Sequence, residues 1–304
     1  MGQPLDPGKA FFYGQFVQAA YTMFKNPQGG DPLRPEPAGI PDGYELGAWI
    51  HMSDFILNLE QPEFYGIVVH GVENPDARII AIRGTESALE WFDDAFAFLT
   101  HFRQVPAAGK VARGFDKIYS SLKVVKRKLA EDRALEAKAA PGAPAAPETF
   151  DGSFAEQLDQ LANSRELARG VRQSADEARP PRPMVVTGHS LGSALATLFV
   201  MENDSKKKFD VTTSCTFASP RVGNTEFVRV FDALPIDSWR IVNTDDEVPK
   251  LPFRLPLFDY QHVDTAYPFA SDGFAKHSLA CCHAMETYLH WLKAGSALRP
   301  ECMP

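Results

Sequence analysis

The chain has 304 residues, 44% hydrophobic and 23% charged, with a formal net charge of −8. That is enough for one large domain with a sizeable core. The acidic balance argues against binding a nucleic-acid backbone, and no apolar run approaches the ~20 residues of a membrane-spanning helix.

The first residues, "MGQPLDPGKAFFYGQFVQAAYTMFK", lack the basic start, unbroken apolar core and cleavage site of a secretory signal. They predict an amphipathic helix with Phe12, Phe16, Ala20 and Phe24 on one stripe. The expectation is either a cytoplasmic protein or a mature form whose leader is gone. Asn26 to Asp42 is rich in Pro and Gly and reads as loop. "FYGIVVHGV" and "ARIIAIRGT", joined by "ENPD", read as a β-hairpin. "EWFDDAFAFLTHF" is unusually aromatic. "GFDKIYSSLKVVKRKLAEDRALEAKAA" predicts one long helix, which "PGAPAAPETFDG" breaks before a second helix in "SFAEQLDQLANSRELARGVRQSADEA". "RPPRP" stops that helix before the strand "MVVT".

Two strand-then-loop units follow, "KKFDVTTSCTFASP" and "SWRIVNTDDEVPKLP", then a candidate last strand in "DYQHVDTAYPF". "SLACCHAMETYLHWLKAG" predicts a closing amphipathic helix with Leu279, Cys282, Met285, Leu289 and Leu292 on its stripe. Strands alternating with helices predict an α/β fold, a mostly parallel central sheet with helices on both faces. Of the four cysteines, spacing admits one bridge from the vicinal pair Cys281 and Cys282 to Cys302.

The chemistry concentrates in "VVTGHSLGSALATL", Val185 to Leu198. A serine between two glycines, where a strand becomes a helix, matches a nucleophile held on a strained turn. Gly188 and Gly192 remove side chains that would collide there, and the helix amino end aims free N–H groups at a developing oxyanion. The bland reading is a glycine turn with an idle serine; the strand before and the helix after favour Ser190 as nucleophile. His189 adjoins Ser190 and reads as a support of the turn, not a base. Of the histidines that follow, His262 sits in a strand-like run, and His283 and His290 fall inside the closing helix. His277, in the loop before that helix, is expected to be the general base. "NTDDEVP" offers Asp245, Asp246 and Glu247 as its orienter, or a merely solvated turn. The backbone N–H of Leu191 and the upstream Thr85, in "AIRGTES", are the expected oxyanion donors.

Taken together, these segments resemble the class 3, fungal-type lipase family. "AIRGTESALEWFDD" is similar to its oxyanion segment, "KVARGF" to a V-H-x-G-F element in which Ala112 replaces the usual His, and "VVTGHSLGSALATL" to its nucleophile elbow. "FASPRVGN" and "YQHVDTAYPF" resemble later segments, "HSLACCHAMETYL" resembles the segment that opens with the catalytic His, here His277, and "VNTDDEVPKLP" matches V-N-x-x-D-x-V-P. The resemblance covers roughly Phe64 to Leu292, less the insert at about 128–183. It implies an α/β-hydrolase fold over a single domain, the acid at Asp246, a non-catalytic His262, and a lid over Glu86 to Trp91 with Trp91 near substrate. The stretch at about 128–183 is longer than the family needs and reads as a flexible helical insert.

The expected activity is carboxylic ester hydrolysis on lipids, first of all triacylglycerol, at a transient lipid–water interface. Phospholipase A1 or feruloyl and short-chain esterase action is the alternative. A non-catalytic lipid-binding protein is the reading from a different class. Acyl-enzyme chemistry calls for no metal or organic cofactor, and no H-E-x-x-H or paired-Cys ligand set is present, although calcium stays open.

Overall fold

The computed structural model describes residues 3–27, 30–53, 62–85, 98–130, 132–133, 147–168, 182–253 and 259–304. Helix α1 is Pro7–Lys25, started by Asp6, whose carboxylate accepts the Lys9 N–H, and by Pro at the first turn. The central sheet comprises β1 (Tyr44–Ser53), β2 (Pro62–Gly71), β3 (Arg78–Ile82), β6 (Lys123–Lys126), β7 (Pro183–His189), β8 (Asp210–Phe217), β9 (Asp237–Asn243) and β10 (Ala266–Phe269). Its eight strands run in the order β10-β9-β8-β7-β3-β2-β1-β6. From β3 to β10 neighbours are parallel, whereas β2, β1 and β6 add on antiparallel. A separate ribbon pairs β4 (Leu99–His101) with β5 (Lys110–Ala112). The remaining α-helices described are α2 (Arg113–Tyr119), α3 (Phe154–Ala168), α4 (Leu191–Lys206), α5 (Thr225–Phe231), α6 (Leu279–His283) and α7 (Met285–Leu292).

The pleat of β3 shows how two cores form. Ile80 and Ile82 join Leu195 and Phe199 of α4 on one face. Ile79 and Ala81 join Phe16 and Ala20 of α1, with Met285 and Tyr288 of α7, on the other. Both faces of the strand are therefore dry, which is why it reads as a continuous apolar run.

One strand is new and two expectations change. "YELGAWIHMS", unassigned from sequence, is the long strand β1, whose pairing with β2 shifts register at Leu46/Ala48 and Ile50/His51. The long helix expected from Gly114 onward ends at Tyr119. Ser120 Oγ and Ser121 Oγ donate to the carbonyls of Asp116 (2.8 Å) and Ile118 (2.7 Å), and the β-branched "KVVK" pairs with β1 instead. The closing helix divides at Ala284, whose ψ of 133° is extended, and Leu279 on its expected stripe is exposed.

Within the expected insert, α3 packs on α4, Phe154 meeting Phe199 edge-on at 5.5 Å. The insert's Pro/Ala-rich middle lies outside the described residues. Cys281 bonds Cys302, leaving Cys282 as a buried thiol. No described helix is long and apolar enough to cross a membrane.

Candidate active site

β7 delivers its last residues to the C-terminal edge of the sheet, where crevices form in parallel α/β folds. Ser190 follows at φ 57° and ψ −126°, then α4 begins at Leu191. For a serine this backbone is strained, and it persists because the surroundings enforce it. A Cβ on Gly192 would lie 2.6 Å from the Arg83 carbonyl oxygen, and one on Gly188 would lie 2.8 Å from the Ser193 nitrogen. Only glycines let helix, elbow and β3 approach this closely. Ser193 Oγ, donating to carbonyls of Gly188 and Phe217 (both 2.7 Å), ties the first helical turn to β7 and β8. Ser190 is fully buried, yet its Oγ has no hydrogen-bond partner. An unpaired buried hydroxyl is costly to keep and marks a group reserved for something else.

Gly84 leans on the elbow: a Cβ there would fall 2.6 Å from the Ser190 Cβ. Thr85, next along, is buried, with its Oγ1 also unpartnered. As a first-turn residue of α4, Leu191 offers an N–H that no preceding helical carbonyl can satisfy. Thr85 thus follows the glycine that touches Ser190, and Leu191 follows Ser190 itself.

Among the three acids of the β9 loop, Asp246 is the one that meets a histidine. Its Oδ2 accepts from His283 Nδ1 (2.8 Å) and Tyr288 Oη (2.7 Å), and its Oδ1 from the Val248 N–H (2.9 Å). Burial and the Asp246 carboxylate push the Tyr288 phenol well above its ordinary range, so it stays a neutral donor. Asp245 instead organises the loop at Ser271, and Glu247 pairs with Lys250 at the surface.

The histidine that Asp246 meets is His283 and not the expected His277. His277 is exposed before α6. His283 closes α6, where the break at Ala284 swings it out of helical register. In an unbroken helix the carbonyls of Cys281, Cys282 and His283 would accept from the next turn. Here side chains claim them: Thr287 Oγ1 from the next turn (2.7 Å), and from distant elements Asn243 Nδ2 (2.8 Å) and His189 Nε2 (2.8 Å), respectively. The break is therefore held by tertiary donors. His283 Nε2 is buried and unpartnered. Its ring lies 4.6 Å from that of His189, the residue before Ser190.

His189 itself is fully engaged. Its Nε2–H donates to the His283 carbonyl, and its Nδ1 accepts from Tyr21 Oη at 2.8 Å. Burial first, and the neighbouring His283 second, hold it well below the usual histidine range, so it remains a neutral ring. His262 Nε2 donates to the Pro249 carbonyl (2.8 Å), away from the Asp246 pair. The expected lid, Glu86 to Trp91, and with it Trp91, lies outside the described residues.

A strained buried serine at a helix N-terminus and a histidine paired to an aspartate are parts that acyl-transfer sites use. A family model for class 3 lipases matches residues 79–255, more than half of the chain. The chain belongs to the class 3 lipase family. In line with that, this lipase-family chain is 24% identical to phospholipase A1 DAD1 of Arabidopsis thaliana, covering 91% of this chain and 69% of that protein. It is 28% identical to the Arabidopsis phospholipase A1-Igamma2, over 82% of this chain and 51% of that protein. Galactolipase DONGLE of Arabidopsis is 24% identical, over 95% and 64% respectively. The chain thus spans between about half and seven-tenths of the length of these plant relatives. Its fold is that of solved fungal and yeast lipases. A lipase of Rhizopus microsporus superposes with a TM-score of 0.52 at 19% identity, over 86% of this chain and 74% of that one. For a Yarrowia lipolytica lipase the TM-score is 0.54 at 19% identity, over 88% and 81%.

Proposed function

We propose that this class 3 lipase-family chain hydrolyses acyl esters of lipids through a Ser190–His283–Asp246 triad. The observation that carries the proposal is the Asp246–His283 pair. It leaves His283 Nε2 bare beside an elbow whose Ser190 Oγ is equally bare.

In this reading Ser190 Oγ attacks the ester carbonyl while His283 Nε2 takes its proton. Asp246 keeps the Nδ1–H tautomer in place and stabilises the imidazolium that results. The tetrahedral oxyanion is received by the Leu191 and Thr85 N–H groups, with the Thr85 hydroxyl beside them. Collapse expels the alcohol, which takes the proton back from His283. Water, deprotonated by His283, then attacks the acyl-serine; the fatty acid leaves and Ser190 is restored.

Triacylglycerol is the substrate first expected from sequence. A polar glycerolipid is the second reading, supported by relatives named phospholipase A1 and galactolipase. The test is fatty-acid release from emulsified triolein, dioleoylphosphatidylcholine and monogalactosyl diacylglycerol by the wild type and Ser190→Ala. Release abolished by the substitution supports the mechanism, and the preferred lipid decides the substrate. Release that survives in Ser190→Ala, or none from any lipid or from p-nitrophenyl butyrate, overturns it.

A further inference from the structure

The groups that the catalytic steps leave unused form a connected path beneath the site. Tyr21, buried on α1, accepts the Gly84 N–H at its phenol oxygen (2.8 Å) and donates its own proton to His189 Nδ1 (2.8 Å). The carbonyl of His283 can only accept, so the proton of neutral His189 sits on Nε2 and is given to that carbonyl at 2.8 Å. Each donor direction in the path is thus determined: Gly84 N–H to Tyr21, Tyr21 to His189, His189 to the backbone of His283.

The two ends of the path matter. At one end, Gly84 is gripped on both sides, for its carbonyl accepts from Arg83 Nη1 at 2.8 Å. The Arg83 guanidinium is itself held between the rings of Phe24 (3.5 Å) and Tyr65 (4.2 Å). In a planar trans peptide the Gly84 C=O and the Thr85 N–H point in opposite directions. Anchoring the carbonyl on Arg83 and the preceding N–H on Tyr21 therefore fixes where the Thr85 N–H aims. At the other end, the His189 bond occupies the carbonyl exposed by the helix break at Ala284, the break that presents the His283 ring.

We propose that Tyr21 and His189 are positioning residues: a hydrogen-bonded relay that holds the oxyanion segment Gly84–Thr85 and the general base His283 in one frame. Neither touches the reacting atoms. They act through the peptide of Gly84 and the backbone of His283, so that the oxyanion donor and the proton acceptor stay in register with Ser190. The proposal rests on the triad reading above.

A relay of this kind predicts a loss in kcat, not in substrate binding, because donor placement is felt mainly in the transition state. Tyr21→Phe keeps the ring and removes both hydrogen bonds. The expected result with p-nitrophenyl butyrate is a kcat lower by about 10- to 100-fold, with KM within about twofold of wild type. Rates are divided by the number of active sites titrated to completion with a fluorophosphonate, which removes any unfolded fraction. Two further variants cover the case in which Tyr21→Phe does not fold. His189→Gln retains an amide that reaches the His283 carbonyl, whereas His189→Ala retains nothing, and the relay predicts that Gln restores part of the kcat lost in Ala. A kcat per titrated site within twofold of wild type in Tyr21→Phe, or equal losses in His189→Gln and His189→Ala, overturns the relay. If hydrolysis by the wild type does not depend on Ser190, the triad reading has failed and the relay falls with it. If it depends on Ser190 while the relay variants are silent, the relay alone is wrong.

Discussion

Replacing His283 and His277 one at a time separates the two candidate bases. His283 Nδ1 gives Asp246 one of its three hydrogen bonds, and its Nε2 faces no protein partner. On the proposed triad, His283→Ala removes the proton acceptor of Ser190, and His189 is no substitute, being neutral with both ring nitrogens committed. Loss of one member of a mutually dependent triad costs about 10⁴- to 10⁶-fold in kcat, or ~5.5 to 8 kcal/mol at ~1.36 kcal/mol per tenfold. Asp246 keeps the Tyr288 and Val248 donors, so the fold should survive at a cost of about 1–2 kcal/mol. His277 is exposed, and His277→Ala should stay within about twofold of wild type. Initial rates on p-nitrophenyl butyrate at pH 8, with thermal melts of each variant, measure both quantities. An inactive, folded His277→Ala beside an active His283→Ala would refute the assignment and the reasoning from the helix break.

Other perturbations follow from the same contacts. Tyr288→Phe removes a 2.7 Å donor to Asp246 and the acceptor of the Asn243 N–H; it should lower kcat about tenfold and stability by about 1–3 kcal/mol, read from activity and a urea titration. Gly192→Ala places a Cβ against the carbonyls of Ile82 and Arg83, which are backbone and cannot turn aside. A destabilisation above ~3 kcal/mol is expected, and an unchanged melting temperature would contradict the packing at the elbow. Cys302→Ser opens the bond to Cys281, 21 residues away in sequence, and should cost about 3 kcal/mol in unfolding free energy, seen as a lower guanidinium midpoint.

What was legible in the sequence, and what was not, follows from the range of the forces involved. The elbow is local: a strand, glycines at Gly188 and Gly192 and a helix supply the positive φ of Ser190 within a few residues, so its pattern survives in the linear order. The β2–β3 hairpin is local in the same way, through its turn and β-branched runs. β1 and β6 are not. Their pairing joins residues some seventy positions apart, and "KVVK" sits among good helix formers, so local propensity favoured a helix until Ser120 and Ser121 closed α2.

That Asp246 meets His283 rather than His277 has the same origin. From Leu279 to Leu292 the sequence keeps helical periodicity, and periodicity reports only what neighbours in the chain prefer. The break at Ala284 is imposed from outside, by Asn243 on β9 and His189 at the elbow, with Thr287 assisting from the next turn. The elements that position Asp246 and Ser190 are thus the ones that unwind the helix around His283. On the proposed triad, the base is not carried to the site ready-made by its own helix. It is presented only when the sheet edge and the elbow are assembled, so the variants most damaging to His283 should include residues far from it in sequence. Asn243→Ala is the sharpest case. It frees the Cys282 carbonyl to accept from a continued helix, and it also removes the acceptor of the Asp245 N–H and a donor to Ser271 Oγ in the loop that carries Asp246. Its expected signature is a kcat reduced about tenfold or more at an unchanged Ser190 environment.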